Sequence, residues 1–163
     1  GTQKRSRAEL KEAFEKLNAS VSIGGDGAGI EVRSENLIPA LRLVAEVLRE
    51  PAFSREEFDQ LKRAALSAAE NPRHLHAYPA GHPNYTPTVE ERIGCLRAVT
   101  LEDATACYRD LFGATGADFV AVGDFDPAAV SAVVEELFGS WQTPRPSSSA
   151  SAALVWALVA PTT

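Results

Sequence analysis

The sequence contains no methionine, only two cysteines, and no apolar run of 18 residues. Without such a run, no helix is expected to cross a membrane. A surplus of positive charge is missing too: 16 Lys and Arg face 22 Asp and Glu, for a net charge of -6 and a pI near 5.1. Binding a phosphate backbone relies on cations that displace its counterions, so no nucleic-acid partner is expected. Cys95 and Cys107 make neither a CxxC pair nor a disulfide framework, and they leave the redox compartment open. Signatures of nucleophilic and metallopeptidase chemistry are absent as well. There is no GxSxG, SxxK, HExxH or HxxEH, and none of His74, His76 and His82 has a glutamate in the three positions after it. The opening Gly1-Thr2-Gln3-Lys4-Arg5 reads as a cut from a longer protein, so missing address signals exclude nothing.

What is present is an ordinary globular composition. Of 163 residues, 45% are apolar and 23% charged, enough to bury roughly two-thirds of the unfolded surface. Helix starts are legible. Ser6-Arg7-Ala8-Glu9 is a capping box, in which the Ser oxygen accepts from the third helical N–H while Glu reaches back to the cap. Ser54 with Glu57 and Thr88 with Glu91 repeat it, Thr100 with Asp103 is a shorter version, and Asp126-Pro127 pairs a cap with proline at the first helical position. Between Leu37 and Arg49 nearly every position is apolar, and Arg42, Glu46 and Arg49 fall on one narrow stripe. Such a helix packs on more than one side, and Pro39 must lie in its first turn, so it is expected to start near Asn36 and to run through the core, burying Leu41 and Val44.

Strands are fewer. Val21 and Ile23 alternate with serines, and Ile30 and Val32 alternate with Glu31 and Arg33, with the glycine-rich stretch 24–29 as a hairpin connection. Residues 119–122 read as a short buried strand, and residues 153–160, rich in Leu, Val and Trp, as another. Thr143 to Ala150 (TPRPSSSA) is a Pro/Ser linker. This order of elements means α+β or α/β.

Three stretches invite chemistry. His74, His76 and His82 are the only histidines and lie within nine residues. Imidazoles bind zinc, but a site needs three or four convergent ligands, and no carboxylate or thiolate stands at a ligand spacing in this proline-rich loop. Gly25-Asp26-Gly27-Ala28-Gly29 fails the P-loop pattern for want of Gly-Lys-Ser/Thr, and fails GxGxxG because Ile30 takes the last place. In Gly123-Asp124-Phe125-Asp126, between strand and helix, capping accounts for Asp126 and leaves only Asp124 without a role.

The order of the segments resembles the insulinase-like zinc peptidases, which include pitrilysin and the mitochondrial processing peptidases. The resemblance rests on Gly1-Thr2-Gln3-Lys4-Arg5-Ser6; on Leu48-Arg49-Glu50-Pro51-Ala52-Phe53-Ser54; on Gly81-His82-Pro83 with Glu90-Glu91 and Ala98-Val99-Thr100-Leu101-Glu102-Asp103; and on Val122-Gly123-Asp124-Phe125-Asp126 closing at Phe138-Gly139-Ser140-Trp141. It covers residues 1–141. Between Glu70 and His74 stand only Asn71-Pro72-Arg73, where relatives carry a longer helix end.

The resemblance implies an α+β fold: a mixed, largely antiparallel sheet packed against helices on one side, as in processing-peptidase-like metallohydrolase domains. It implies a domain over 1–141, a linker over 142–152, and a strand over 153–163 that opens the next domain. Active members carry HxxEH a few residues before the Gly-Thr segment, and a further Glu ligand on the later helix. Only Glu70 is offered there. The Arg with a Tyr seven positions on that grips substrate backbone is also missing. No catalytic, cofactor-binding or metal-binding residue is therefore expected in this chain, and no activity of its own.

The expected function is that of a catalytically incomplete half, pairing with a homologous zinc-bearing half, in the same chain or a partner subunit, to enclose peptide. Zinc belongs to that other half. The alternatives are a fragment of an active half whose HxxEH lies upstream of Gly1, and a metal or nucleotide module using His74, His76, His82 or Asp124. The resemblance leans towards a periplasmic or otherwise secreted compartment.

Overall fold

The computed structural model describes residues 1–24, 27–70, 78, 81–83, 85–144 and 154–161. Its helices start where the caps place them. Helix α1 (Arg7–Lys16) opens on the Ser6 box: Ser6 Oγ accepts from Glu9 N–H at 3.2 Å, and Ser6 N–H donates to Glu9 Oε2 at 2.7 Å. Helices α3 (Arg55–Ala69) and α4 (Val89–Ala98) start at Ser54 and Thr88. Helix α5 (Leu101–Leu111) has the reciprocal pair in its shorter form, with Asp103 receiving Thr100 N–H at 2.9 Å and donating its own N–H to Thr100 Oγ1 at 3.1 Å. Helix α6 (Pro127–Phe138) is capped by Asp126, which accepts from Ala128 and Ala129.

Helix α2 (Leu37–Arg49) follows a single 3-10 turn, with Pro39 as its third residue. It buries Leu37, Ala40, Leu41, Val44, Ala45 and Leu48. As expected, this is the helix at the centre of the core.

Four strands form one sheet: β1 (Ser20–Gly24), β2 (Gly27–Arg33), β3 (Asp118–Gly123) and β4 (Leu154–Ala160), in spatial order β1-β2-β4-β3. The α+β class and the mixed sheet agree with expectation. The balance of directions does not: β1 pairs antiparallel with β2, whereas β4 pairs parallel with both β2 and β3. A parallel pair needs a crossover of a dozen or more residues, and β4, last along the chain, enters the middle of the sheet after such connections. The strand expected near the end of the sequence is β4, and it lies between β2 and β3. The glycine-rich connection is shorter than expected, because Gly27–Gly29 already belong to β2 and Gly24 stands opposite Gly27. The Pro/Ser stretch from 145 on, and the Glu70-to-His74 connection, lie outside the described residues.

The core lies on one face of the sheet. Ala28, Ile30 and Val32 of β2 and Val155, Ala157 and Val159 of β4 meet α2 and Val130 and Phe138 of α6, with Phe14 and Leu17 of α1 packed beside them. At the far end of β3, Gly123 has a φ of 136°, and a Cβ there would run into the Val159 carbonyl. Only glycine permits that approach.

The chain divides into two units, residues 1–52 with 107–163, and residues 53–106. The first holds the sheet, α1, α2 and α6. In the second, α3 packs against α4, and Lys62 Nζ donates to the carbonyls of Arg97 and Val99 at 2.8 and 2.6 Å. Those acceptors lie at the α4 C-terminus, where carbonyls lack helical partners. Within α3 and α4 the only buried side chain is Ala69, and Leu61 is 71% exposed.

Candidate functional surface

Among the described residues, those singled out for chemistry do not converge. His74 and His76 lie outside the described residues. His82 stacks on Tyr78, ring centroids 4.3 Å apart and nearly parallel. Asp124 is exposed in the turn between β3 and α6, where Asp126 is occupied with capping. Gly25 and Asp26 are not described, and Gly27–Gly29 form a strand rather than a phosphate loop. Glu70 is the C-cap of α3, at the frayed end of a helix whose other acidic residues sit in and just after the first turn. Among the described residues, no group of three or more His, Cys, Asp or Glu could hold a metal ion. Zinc does not fit the side chains described here, and no step of zinc chemistry can be routed through them. No helix among them is long and apolar enough to cross a membrane.

Two stretches that carry the family resemblance do meet, and they build a structural lock. Thr2 and Pro51 form an antiparallel bridge. Gln3 N–H donates to Glu50 O at 3.0 Å, and Ala52 N–H donates to Gly1 O at 3.0 Å. Beneath the bridge, Thr2 Oγ1 donates to Glu46 Oε1 at 2.7 Å, while Arg5 pairs with the other Glu46 oxygen. Lys4 reaches Glu50 at 2.8 Å. The polar stripe of α2 thereby finds its use: Glu46 holds the Gly-Thr segment, Arg42 forks onto Glu136 with bonds of 2.8 and 2.9 Å, and Arg49 reaches Leu137 O and Ser140 on the far side. The Arg42 guanidinium holds the Glu136 carboxyl below its ordinary pKa. At the end of α2, Tyr108 donates its hydroxyl to Leu48 O at 2.5 Å, and burial pushes that hydroxyl up to about 12.

The surface with an unmet requirement is the other face of the sheet. Val120 and Val122 of β3 are 46% and 60% exposed, and Leu158 of β4 is 50% exposed. The register places Val122 beside Leu158, Leu158 beside Glu31, and Glu31 beside Ser20. This face therefore runs from polar at β1 to apolar at β3. The expectation of a buried strand over 119–122 is corrected: Phe119 and Ala121 face the core, but the valines between them face outward. Strands that read as continuous apolar runs are those covered on both faces. Phe-Val-Ala-Val in β3 and Leu-Val-Trp-Ala-Leu-Val in β4 have that pattern, yet Val120, Val122 and Leu158 are left open.

Residues 98–155 match the family model described as the Peptidase M16 inactive domain. This stretch is similar to an inactive peptidase-like domain. The match runs from the end of α4 through α5, β3 and α6 to the first residues of β4, and includes the open Val120 and Val122 of β3 but not Leu158. It also contains the Ala98–Asp103 and Val122–Asp126 motifs and the Phe138-Gly139-Ser140-Trp141 close, so the resemblance to insulinase-like peptidases is borne out there. No curated protein and no solved structure matches the chain.

Proposed function

We propose that this chain is a non-catalytic half of an insulinase-like peptidase, which uses the open sheet face over β3 and β4 to build one wall of a peptide-enclosing chamber with a zinc-bearing half. The observation that supports this reading is the apolar patch of Val120, Val122 and Leu158 on a face that the described residues leave uncovered, with the two valines inside the stretch that matches the inactive M16 domain and Leu158 just beyond it. An apolar patch rimmed by polar residues is what marks an interaction site. The cleavage chemistry needs an open tetrahedral zinc site and a carboxylate base, and in this reading both come from the partner half.

The test is association with a homologous half that carries HxxEH, followed by light scattering after size exclusion. The wild-type chain should form a complex. Val122→Asp with Leu158→Asp should weaken it at least tenfold while far-UV circular dichroism stays unchanged. The chain alone should show no zinc-dependent peptide cleavage. Unchanged association of the folded double variant, or turnover by the lone chain that a chelator abolishes and zinc restores, would overturn the reading.

A further inference from the structure

On the helix-covered side of the sheet, away from the surface just described, the first unit holds a pocket of about 200 Å³. Four aromatic residues, Phe112, Phe119, Phe138 and Trp141, line it together with Val134. The rings of Phe138 and Trp141 stand 6.3 Å apart at 38°, a tilted pair that offers both a face and an edge to a third ring. One wall is fixed by the backbone, since Ala114 N–H donates to Trp141 O at 2.7 Å and Thr143 N–H donates to Thr115 Oγ1 at 2.9 Å. Gly113 sits so close to Gln142 and Thr143 that a Cβ there would collide with them. The pocket is therefore preformed rather than a gap that closes by relaxation.

Size and charge define what would enter. A dry apolar cavity of about 150 Å³ is known to take benzene, so this one has room for one aromatic ring and a short substituent. The ionisable residues in its wall are Glu135 and Asp118; no Lys, Arg or His lines it. The Glu135 carboxylate folds back over Gly139, itself a wall residue. We propose that this pocket is a binding site for a small single-ring aromatic amine, with the ring among Phe119, Phe138 and Trp141 and the ammonium group towards Glu135.

Three single-ring probes test it on the full chain: benzylamine, toluene and benzoate. Binding is followed by the Trp141 indole N–H resonance, assigned with Trp156→Phe. Benzylamine should bind roughly 2–5-fold more tightly than toluene, the worth of one solvent-reached ion pair, and benzoate should not bind. Glu135→Gln should bring benzylamine down to the toluene level and leave toluene unchanged. Val134→Phe should fill the cavity and abolish binding of both. If Val134→Phe fails to fold, the Glu135→Gln comparison decides alone. The proposal is overturned if benzylamine at about 10 mM, enough to fill roughly nine-tenths of a site with a Kd of about 1 mM, leaves the Trp141 resonance unmoved. It is equally overturned if benzoate binds as well as benzylamine, or if Glu135→Gln leaves the preference for the amine intact.

Discussion

Thr2 donates its hydroxyl proton to Glu46 across 44 positions of sequence, and does so while only 6% exposed. The same oxygen accepts the Arg5 N–H at 3.0 Å. One short side chain thus closes a turn at the start of the chain and ties it to the middle of α2.

Replacing that hydroxyl by a methyl group tests the lock. Thr2→Val keeps the shape but leaves a Glu46 oxygen and the Arg5 N–H short of a partner. Such a loss costs about 1–3 kcal/mol. Urea unfolding should show it as a lower midpoint with an unchanged slope; a midpoint equal to wild type would mean that water replaces the hydroxyl at no cost.

Leu41 gives the measure of the core. It is fully buried on α2, so Leu41→Ala should destabilise the fold by about 2–5 kcal/mol. A change under about 0.5 kcal/mol, the scatter of surface substitutions, would contradict the packing described for α2.

Two glycines should respond in opposite directions. Gly123→Ala forces a Cβ into the Val159 carbonyl at a positive φ, and a residue held in such a conformation costs of order 1–3 kcal/mol before any clash is counted. Gly94 lies inside α4 with open space around its Cα, so Gly94→Ala should stabilise that helix by roughly 0.5–1 kcal/mol. Thermal melts of the pair settle both; equal shifts of one sign would refute the contrast.

Acid should loosen helix starts. The Ser6 backbone N–H and hydroxyl lower the Glu9 pKa from 4.5, and the Thr100 N–H and hydroxyl lower that of Asp103 from 3.8. A carboxyl whose folded pKa is depressed adds stability that is present above its unfolded pKa and disappears as pH falls through the folded one. Both groups are solvent-exposed, so the effect is small. The stability difference between wild type and Thr100→Ala should hold steady at neutral pH and shrink below about pH 4. A difference that grows in acid would give the opposite sign and rule out this coupling.

The five helix starts were legible because capping is local: the partners lie three residues apart, as Thr100 and Asp103 show. Helix α2 was legible for another reason, since a helix apolar on most sides has nowhere to go but the core. Strand order was not legible. Nothing in Leu-Val-Trp-Ala-Leu-Val states that it inserts between β2 and β3, because that choice depends on connections of many residues. The apolar stretch 119–122 showed its strand character but not its exposure. Apolarity on both faces says that both need covering, not which molecule provides the cover for Val120 and Val122. The aromatic pocket gave no signal at all, being assembled from segments far apart in sequence around a close approach of Gly113 to Thr143.

The place of β4 also sets an order of events in time. Of these four strands, the one that separates β2 from β3 is synthesised after the other three, so β2 and β3 have no common neighbour until residue 154 has emerged. Until then α2 has the β1–β2 hairpin, α1 and α6 to pack on but not β4, and the inner face of β3 has no sheet to join. Contacts between residues this far apart in sequence are slow to form, and strand edges left waiting are where growing chains associate wrongly. For this sheet the vulnerable interval in folding lasts until β4 fills the gap between β2 and β3.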